Sequence, residues 1–307
     1  MLNEYLLQTQ RFLREQNQVF NNPEDLISYI NRGRREVAMR TQAIRVLTPI
    51  SGAITGYTIT NGGSGYSATP TVTVTPPDLP SGRLPNPLGA QAIASAIVQG
   101  GVIAAIDSTY GGSGYFQPQV TITDTTGHGA TATPVLSFIN TLNTGQEVYP
   151  FSGIDLSMFP GCDAVYYVRS VSILYNNYRY TLPMYAFSVY QAMIRQYPFQ
   201  YQYVPTFTSQ FGQGTDGSFY SYPLPSQQYA SEWDCLVLPS DLIDDQSYEA
   251  LPNPWRDAVP YFGAHFAMME LQNYNVAKFY LDLYEKQALS YSNFARIGRG
   301  VNPYGRY

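Results

Sequence analysis

The sequence predicts an α+β protein: a helical bundle built from both chain termini, with β-rich inserted domains and an extended C-terminal tail. Three observations lead there. Residues 23 to 46 read as a capped amphipathic helix, and residues 255 to 294 are the other stretch able to supply a matching apolar face. From Ile50 the character changes, with Gly, Thr, Pro, Val and Ala dominating as far as residue 139. The expected division is therefore 1–48, N-terminal helices of the core; 49–139, an inserted β domain; 140–250, a β-rich region with one helix; 251–296, a C-terminal helical hairpin; and 297–307, the tail.

The first helix is expected from Leu2 to Phe20, with Tyr5, Leu6, Phe12, Leu13 and Val19 as its apolar set. Asn17, Asn21 and Asn22 break it. Asn22 then caps the second helix, Pro23 suits its first turn, and Glu24 and Asp25 put negative charge at the positive end of the helix dipole. Leu26, Ile27, Ile30, Val37 and Ile44 form a broken apolar stripe, with Arg32, Arg34, Arg35, Arg40 and Arg45 largely opposite. Thr48 and Pro49 end it, since proline cannot continue the hydrogen bonds and disfavours helix in the residue before it.

Residues 50 to 139 hold four charged residues, Asp78, Arg83, Asp107 and Asp124, and a repeat. Gly52 to Tyr66 aligns with Gly101 to Tyr115, and each copy ends in Gly-Gly-Ser-Gly-Tyr: Gly62, Gly63, Gly65 and Tyr66 in one, Gly111, Gly112, Gly114 and Tyr115 in the other. Strands are expected at Thr71 to Val74 and Gln119 to Ile122, then at Ala90 to Val98 and Ala130 to Leu136. A phosphate loop would need a helix opening straight after the glycines. Here a Tyr, a Pro and a Thr/Val strand follow, so the glycines read as turn residues with Tyr packed over them, in two small β modules in tandem.

In residues 140 to 250, strands at Ala164 to Tyr175 and Tyr178 to Leu182 meet at Asn176-Asn177, and Pro183 opens a helix to Gln196. A hairpin is expected at Thr215-Asp216-Gly217-Ser218, Tyr222-Pro223-Leu224-Pro225 should interrupt pairing, and a last strand carries Trp233 to Leu238. Helices from Trp255 to Gln272 and from there to Ala295, so closely joined, should pack as an antiparallel hairpin.

Charged residues are 13% of the 307, against about 25% in ordinary soluble domains, while Tyr alone fills 28 positions. Such a surface favours an obligate assembly, because Tyr is enriched and Lys and acids are depleted where proteins meet. Residues 49 to 250 carry four Arg against thirteen acids, which argues against wrapping nucleic acid; residues 296 to 307 carry three Arg and no acid. No signal peptide or membrane-spanning run is visible. Cys162 and Cys235 read as reduced, partly buried thiols made in a cytosol.

The chemistry-bearing residues do not form a recognisable set. His128 and His265 have no carboxylate or Cys at ligand spacing, so neither a metal nor a cofactor is expected, and His265 reads as a packing residue. Asp241, Asp244, Asp245 and Glu249 read as a solvated loop. There is no Gly-x-Ser-x-Gly elbow or Cys/His pair, and the chain is not expected to be an enzyme.

The order of segments nevertheless resembles the head-to-tail adaptor (connector) proteins of short-tailed bacteriophages. The residues carrying the likeness are Asp25 to Ala38, Tyr178 to Pro183, the Asp216-Gly217 hairpin leading through Pro223 and Pro225 to Trp233-Asp234, and Leu251-Pro252 through Ala258 and Ala277 to Tyr284-Glu285. They span 1–48 and 140–296; the insert resembles GGSGY-type β modules of phage virion proteins. The resemblance implies a structural virion protein of the neck, assembled in the host cytoplasm. Copies would form a homo-oligomeric, dodecameric ring between the portal protein and a tail nozzle or tail tube protein, touching passing DNA only transiently and no membrane. On this reading Arg296, Arg299, Tyr304, Arg306 and Tyr307 dock the tail onto the portal, and the insert faces outward, where tail fibres would attach. The competing expectation is a receptor-binding or fibre-attachment (collar) protein.

Overall fold

Helix α1 spans Leu2–Leu13 and α2 spans Pro23–Thr41 in the computed structural model, which describes residues 1–13, 22–48, 50–77, 89–138, 140–176, 178–196 and 201–296. The cap of α2 forms through Asn22, whose side chain accepts the Glu24 N–H at 3.4 Å. Its end comes sooner than expected. Gln42 adopts the left-handed conformation (φ 53°) and closes the helix at Thr41, and Arg45–Thr48 becomes a strand with Val46 and Thr48 buried. Alternating burial of β-branched residues beside a proline suits a strand better than a helical turn. The part of the expected first helix beyond residue 13 lies outside the described residues.

The predicted helical bundle is overturned. The chain is 40% strand and 30% helix, a mixed α+β protein with five helices among the described residues rather than a bundle with β excursions. The reason is the length of the β elements, which carry sheets of their own. The strands Tyr229–Pro239, Cys162–Tyr175 and Tyr178–Leu182 follow Arg45–Thr48 in one sheet, with Thr141–Leu142 pairing at Tyr229 and Ala230. Met184–Tyr185, Phe207–Phe211, Ser218–Tyr222 and Val148–Pro150 make a second.

By its contacts the chain divides into two units. The first holds residues 1–46, 160–167 and the chain from Leu236 on; the second holds 47–159 and 168–235. In the first, α4 (Val259–Glu270) lies against α1, α2 and α5 (Tyr274–Arg296). It is preceded by a 3-10 turn at Trp255–Ala258, where the sequence suggested α-helix. Gly33 lets α2 approach α4 closely, since a Cβ there would lie 3.1 Å from Phe262 Cδ1. Phe12 stacks on Tyr261 with ring centres 4.6 Å apart. Arg34, expected on the polar side of α2, is fully buried instead.

In the second unit α3 (Phe187–Gln196) begins at Phe187 rather than Pro183, because Met184 and Tyr185 pair in parallel with Thr208 and Ser209. Its one buried residue, Tyr190, packs with Phe207 and Tyr222.

The insert is not two modules in tandem. Its six described strands pair as Gly52–Ser64 with His128–Phe138, Thr71–Val74 with Val120–Thr123, and Ile93–Gln99 with Val102–Tyr110. Every pair joins the first copy of the repeat to the second. Corresponding irregularities fall at corresponding places: Ile54/Gly56 and Ile59/Asn61 on one ribbon match Ile97/Val98 and Ile93/Ala94 on the other. The copies thus interlock about a pseudo-two-fold axis into one module. Gly52 and Phe138, where the chain enters and leaves, are direct partners, so their Cα atoms lie about 5 Å apart. Replacing residues 52–138 by a short Gly-Ser link should leave the remainder folded, with a cooperative melt followed by circular dichroism; a non-cooperative or aggregating product would show that the module is integral to its host.

Candidate interaction surfaces

The Gly-Gly-Ser-Gly-Tyr segments are clamps between the copies. The Tyr66 N–H donates to Gly101 O at 3.0 Å, and the Tyr66 hydroxyl accepts the Ala130 N–H at 3.0 Å. Symmetrically, the Tyr115 N–H donates to Gly52 O at 3.1 Å and its hydroxyl accepts the Ala92 N–H at 2.8 Å. Each ring occupies a buried core, one with Ile54, Val74 and Ala92, the other with Ile103 and Ile106. Gly63 (φ 65°) and Gly112 (φ 64°) reach the left-handed region that glycine adopts without strain, and Gly65 and Gly114 do likewise. Gly62 belongs to the strand itself, while Gly111 lies just past Val102–Tyr110 and accepts the Ile54 N–H at 2.9 Å. Both tyrosines of the motif spend their N–H and hydroxyl inward, on backbone, so the clamps build the module and leave its strand faces to meet partners.

One feature breaks the symmetry. Asp124 accepts the Ser67, Thr126 and Gly127 N–H groups and the Ser67 hydroxyl, which hold its carboxyl well below the usual carboxylate range. It ties the end of the first clamp to a turn of the second copy.

A second surface was not visible in the sequence. The hairpin of Cys162–Tyr175 and Tyr178–Leu182 pairs Ile173 with Tyr180 and Tyr175 with Tyr178. Its edge is crowded with exposed rings: Tyr178 (69% exposed), Tyr180 (48%) and, from the following segment, Tyr203 (58%). A groove of ≈ 400 Å³ runs between Ile173, Tyr175, Tyr180 and Leu182 on one side and Tyr203 and Pro205 on the other. Tyrosines offer apolar faces and one hydroxyl each at little conformational cost, so this surface suits a protein partner better than reaction chemistry. Only a three-dimensional juxtaposition of residues 173–182 with 203–206 creates it, which no local pattern announces.

The ionisable groups are used structurally. Arg34 donates from Nε and Nη2 to the two carboxylate oxygens of Glu249, both at 2.9 Å, and from Nη1 to Asn31 Oδ1 and Ser240 O. Glu249 is therefore a buried ion-pair partner and not part of a solvated loop. Asp241 pairs with Arg35 at 2.7 Å, Asp244 caps the turn to Ser247, and Asp245 holds the N-terminal amine at 3.2 Å. Burial pushes the Cys162 thiol up to about 12 and raises Cys235 as well, which makes both poor nucleophiles. His265 Nδ1 lies 2.8 Å from Ala277 O. Among the described residues no three His, Cys, Asp or Glu gather to hold a metal ion, and no helix is long and apolar enough to cross a membrane.

Of the expected tail-docking residues, Arg296 is the last of α5, and Arg299, Tyr304, Arg306 and Tyr307 lie outside the described residues. Compared with protein-family models and with curated proteins, the chain matches none.

Proposed function

We propose that this protein is a structural virion component, a head-to-tail adaptor whose copies form a dodecameric ring between portal and tail and line the path of the genome. The observation that carries the reading is the exposed tyrosine edge at Tyr178, Tyr180 and Tyr203 on a chain with only 13% charged residues. A surface of that kind gains by being covered, and head-to-tail contacts between identical copies cover it for every member once the ring closes. The acidic balance of residues 49 to 250 supports a conduit that repels phosphate rather than gripping it. A fibre-attachment or collar role is the second reading, favoured by the exposed Ile93, Val102 and Tyr110 of the insert.

Native mass spectrometry of the purified chain, alone and with portal rings, tests this. A closed ring of high order is expected, and removal of residues 298–307 should weaken portal binding. A trimer that binds cell surfaces would favour the second reading, and a monomer indifferent to portal would reject the first.

A further inference from the structure

The exposed tyrosine edge lies where two strands come apart. Met184 and Tyr185 pair in parallel with Thr208 and Ser209, and the Thr208 N–H donates to Pro183 O at 2.9 Å. Upstream of that shared pair the two stretches leave for different sheets: Tyr178–Leu182 pairs with Cys162–Tyr175, and Gln202–Tyr203 with Leu224–Pro225. The groove of ≈ 400 Å³ is the gap between them, and none of its nine lining residues is charged. Tyr178–Leu182 is the last strand of its sheet, and among the described residues no strand lies beside its outer edge. Such an edge is a template for an added extended segment.

We propose that this groove receives residues 297–307 of a second copy of the chain, laid in extended form, with Tyr304 and Tyr307 as anchors and Arg299 and Arg306 on the tyrosine faces. Length permits it. The stretch follows α5 directly, and eleven extended residues reach about 40 Å, past the roughly 30 Å width of a small domain. Charge favours it as well. Residues 296–307 hold three Arg and no acid, whereas the unit that bears the groove, 47–159 with 168–235, holds eight Asp and Glu against four Arg. That imbalance draws the tail to the unit. The uncharged groove then holds it through ring faces, on which a planar guanidinium stacks better than an ammonium. All three tail cations are Arg. The chain already uses this pairing twice: Arg32 lies over the Phe266 ring at 4.3 Å and Arg40 over the Tyr284 ring at 5.8 Å. Gly298, Gly300 and Gly305 bring no side chain to obstruct entry between strands, and Pro303 fixes its own φ, which lowers the cost of ordering. A tail on one copy and a groove on the next make a contact with unlike sides, which runs head to tail and closes into a ring.

This contact rests on the proposed self-assembly and is tested apart from it. A fluorescent peptide of residues 297–307 is titrated with the full chain below its midpoint of assembly, and the anisotropy is followed. Saturable binding is expected. Tyr180→Ser with Tyr203→Ser, both rings being exposed, should weaken it at least about tenfold. Replacing Arg299 and Arg306 of the peptide by Lys keeps the charge and should still weaken binding at least about threefold, since the stacking is lost. Sedimentation velocity then compares the full chain with the chain lacking residues 298–307, whose midpoint of assembly should rise by at least about tenfold. Loss of portal binding upon that removal would then follow from loss of the ring. If the full chain assembles but the peptide fails to bind, or binds regardless of these tyrosine and lysine changes, the contact is overturned while the ring stands. A shortened chain that assembles as readily as the full one, yet no longer binds portal rings, overturns it too and gives the tail to the portal. A full chain that stays monomeric at every concentration overturns both contact and ring.

Discussion

Replacing Arg34 with Met should destabilise the first unit by about 3–5 kcal/mol, the range for removing one member of a buried ion pair. The guanidinium and the Glu249 carboxylate are 0% and 2% exposed, so solvent does not screen them. Glu249 Oε1 also accepts the Leu251 N–H at 2.8 Å, and Asn31, bonded to Arg34, exchanges hydrogen bonds with both backbone groups of Leu242. One side chain of α2 therefore fixes the run from Ser240 to Leu251 against that helix. With Arg34 gone, Glu249 must keep a buried, uncompensated charge or take up a proton. Converting both residues, Arg34→Met with Glu249→Leu, should recover much of the loss, since the expense lies in the orphaned charge more than in the absent pair. Chemical unfolding followed by far-UV circular dichroism measures both variants. A single-variant loss below about 1 kcal/mol would mean that water reaches the pair and that the run from Ser240 to Leu251 is held by other contacts.

That pair also marks where the sequence stops being legible. Asn22, Pro23 and Glu24 announced the start of α2 because capping is local chemistry, complete within four residues. Its end was concealed, because Gln42 takes a left-handed conformation that sequence associates with glycine or asparagine, and Ile44 extends the apolar period past it. Arg34 was placed on the polar side by its charge, although it falls four residues after the buried Ile30 and three before Val37, inside the apolar stripe. Spacing carried the signal; residue type overrode it. Glu249 lies 215 positions away, and only the tertiary fold joins them. The repeat was evident, yet its interlocking was not, because the same strands can pair within a copy or between copies. A hint did exist at Gly100-Gly101, two glycines with φ 59° and 78° joining strands of different copies in a two-residue hairpin turn. The tyrosine groove had no such hint, since its walls come from separate stretches of chain.

The interlocking yields the other large effect. Gly112→Ala should cost the module about 3 kcal/mol, whereas Gly100→Ala should cost about 1 kcal/mol, though both glycines have positive φ. The shared part is backbone strain, about 1 kcal/mol for an L side chain in the left-handed region. What separates them is space: a Cβ on Gly100 meets nothing within 4 Å, but one on Gly112 would clash with Ala90 O and lie 2.8 Å from Ala92 N and 2.9 Å from Tyr115 Cε2. Tyr115 cannot step aside, being wholly buried with its hydroxyl held by the Ala92 N–H. Moving the ring would leave that N–H unsatisfied in the core, a further penalty of about 1–3 kcal/mol. Gly63→Ala, at the position related by the pseudo-two-fold axis, should behave as Gly112→Ala does, because its Cβ would meet His128 O at 2.5 Å, Ala130 N at 2.6 Å and Tyr66 Cε2 at 2.7 Å. Thermal unfolding of the three variants gives the ranking. If Gly112→Ala proved no worse than Gly100→Ala, both the Ala90–Ala92 backbone and the tyrosine would be free to move, and the clamp could not be what locks one copy of the repeat to the other.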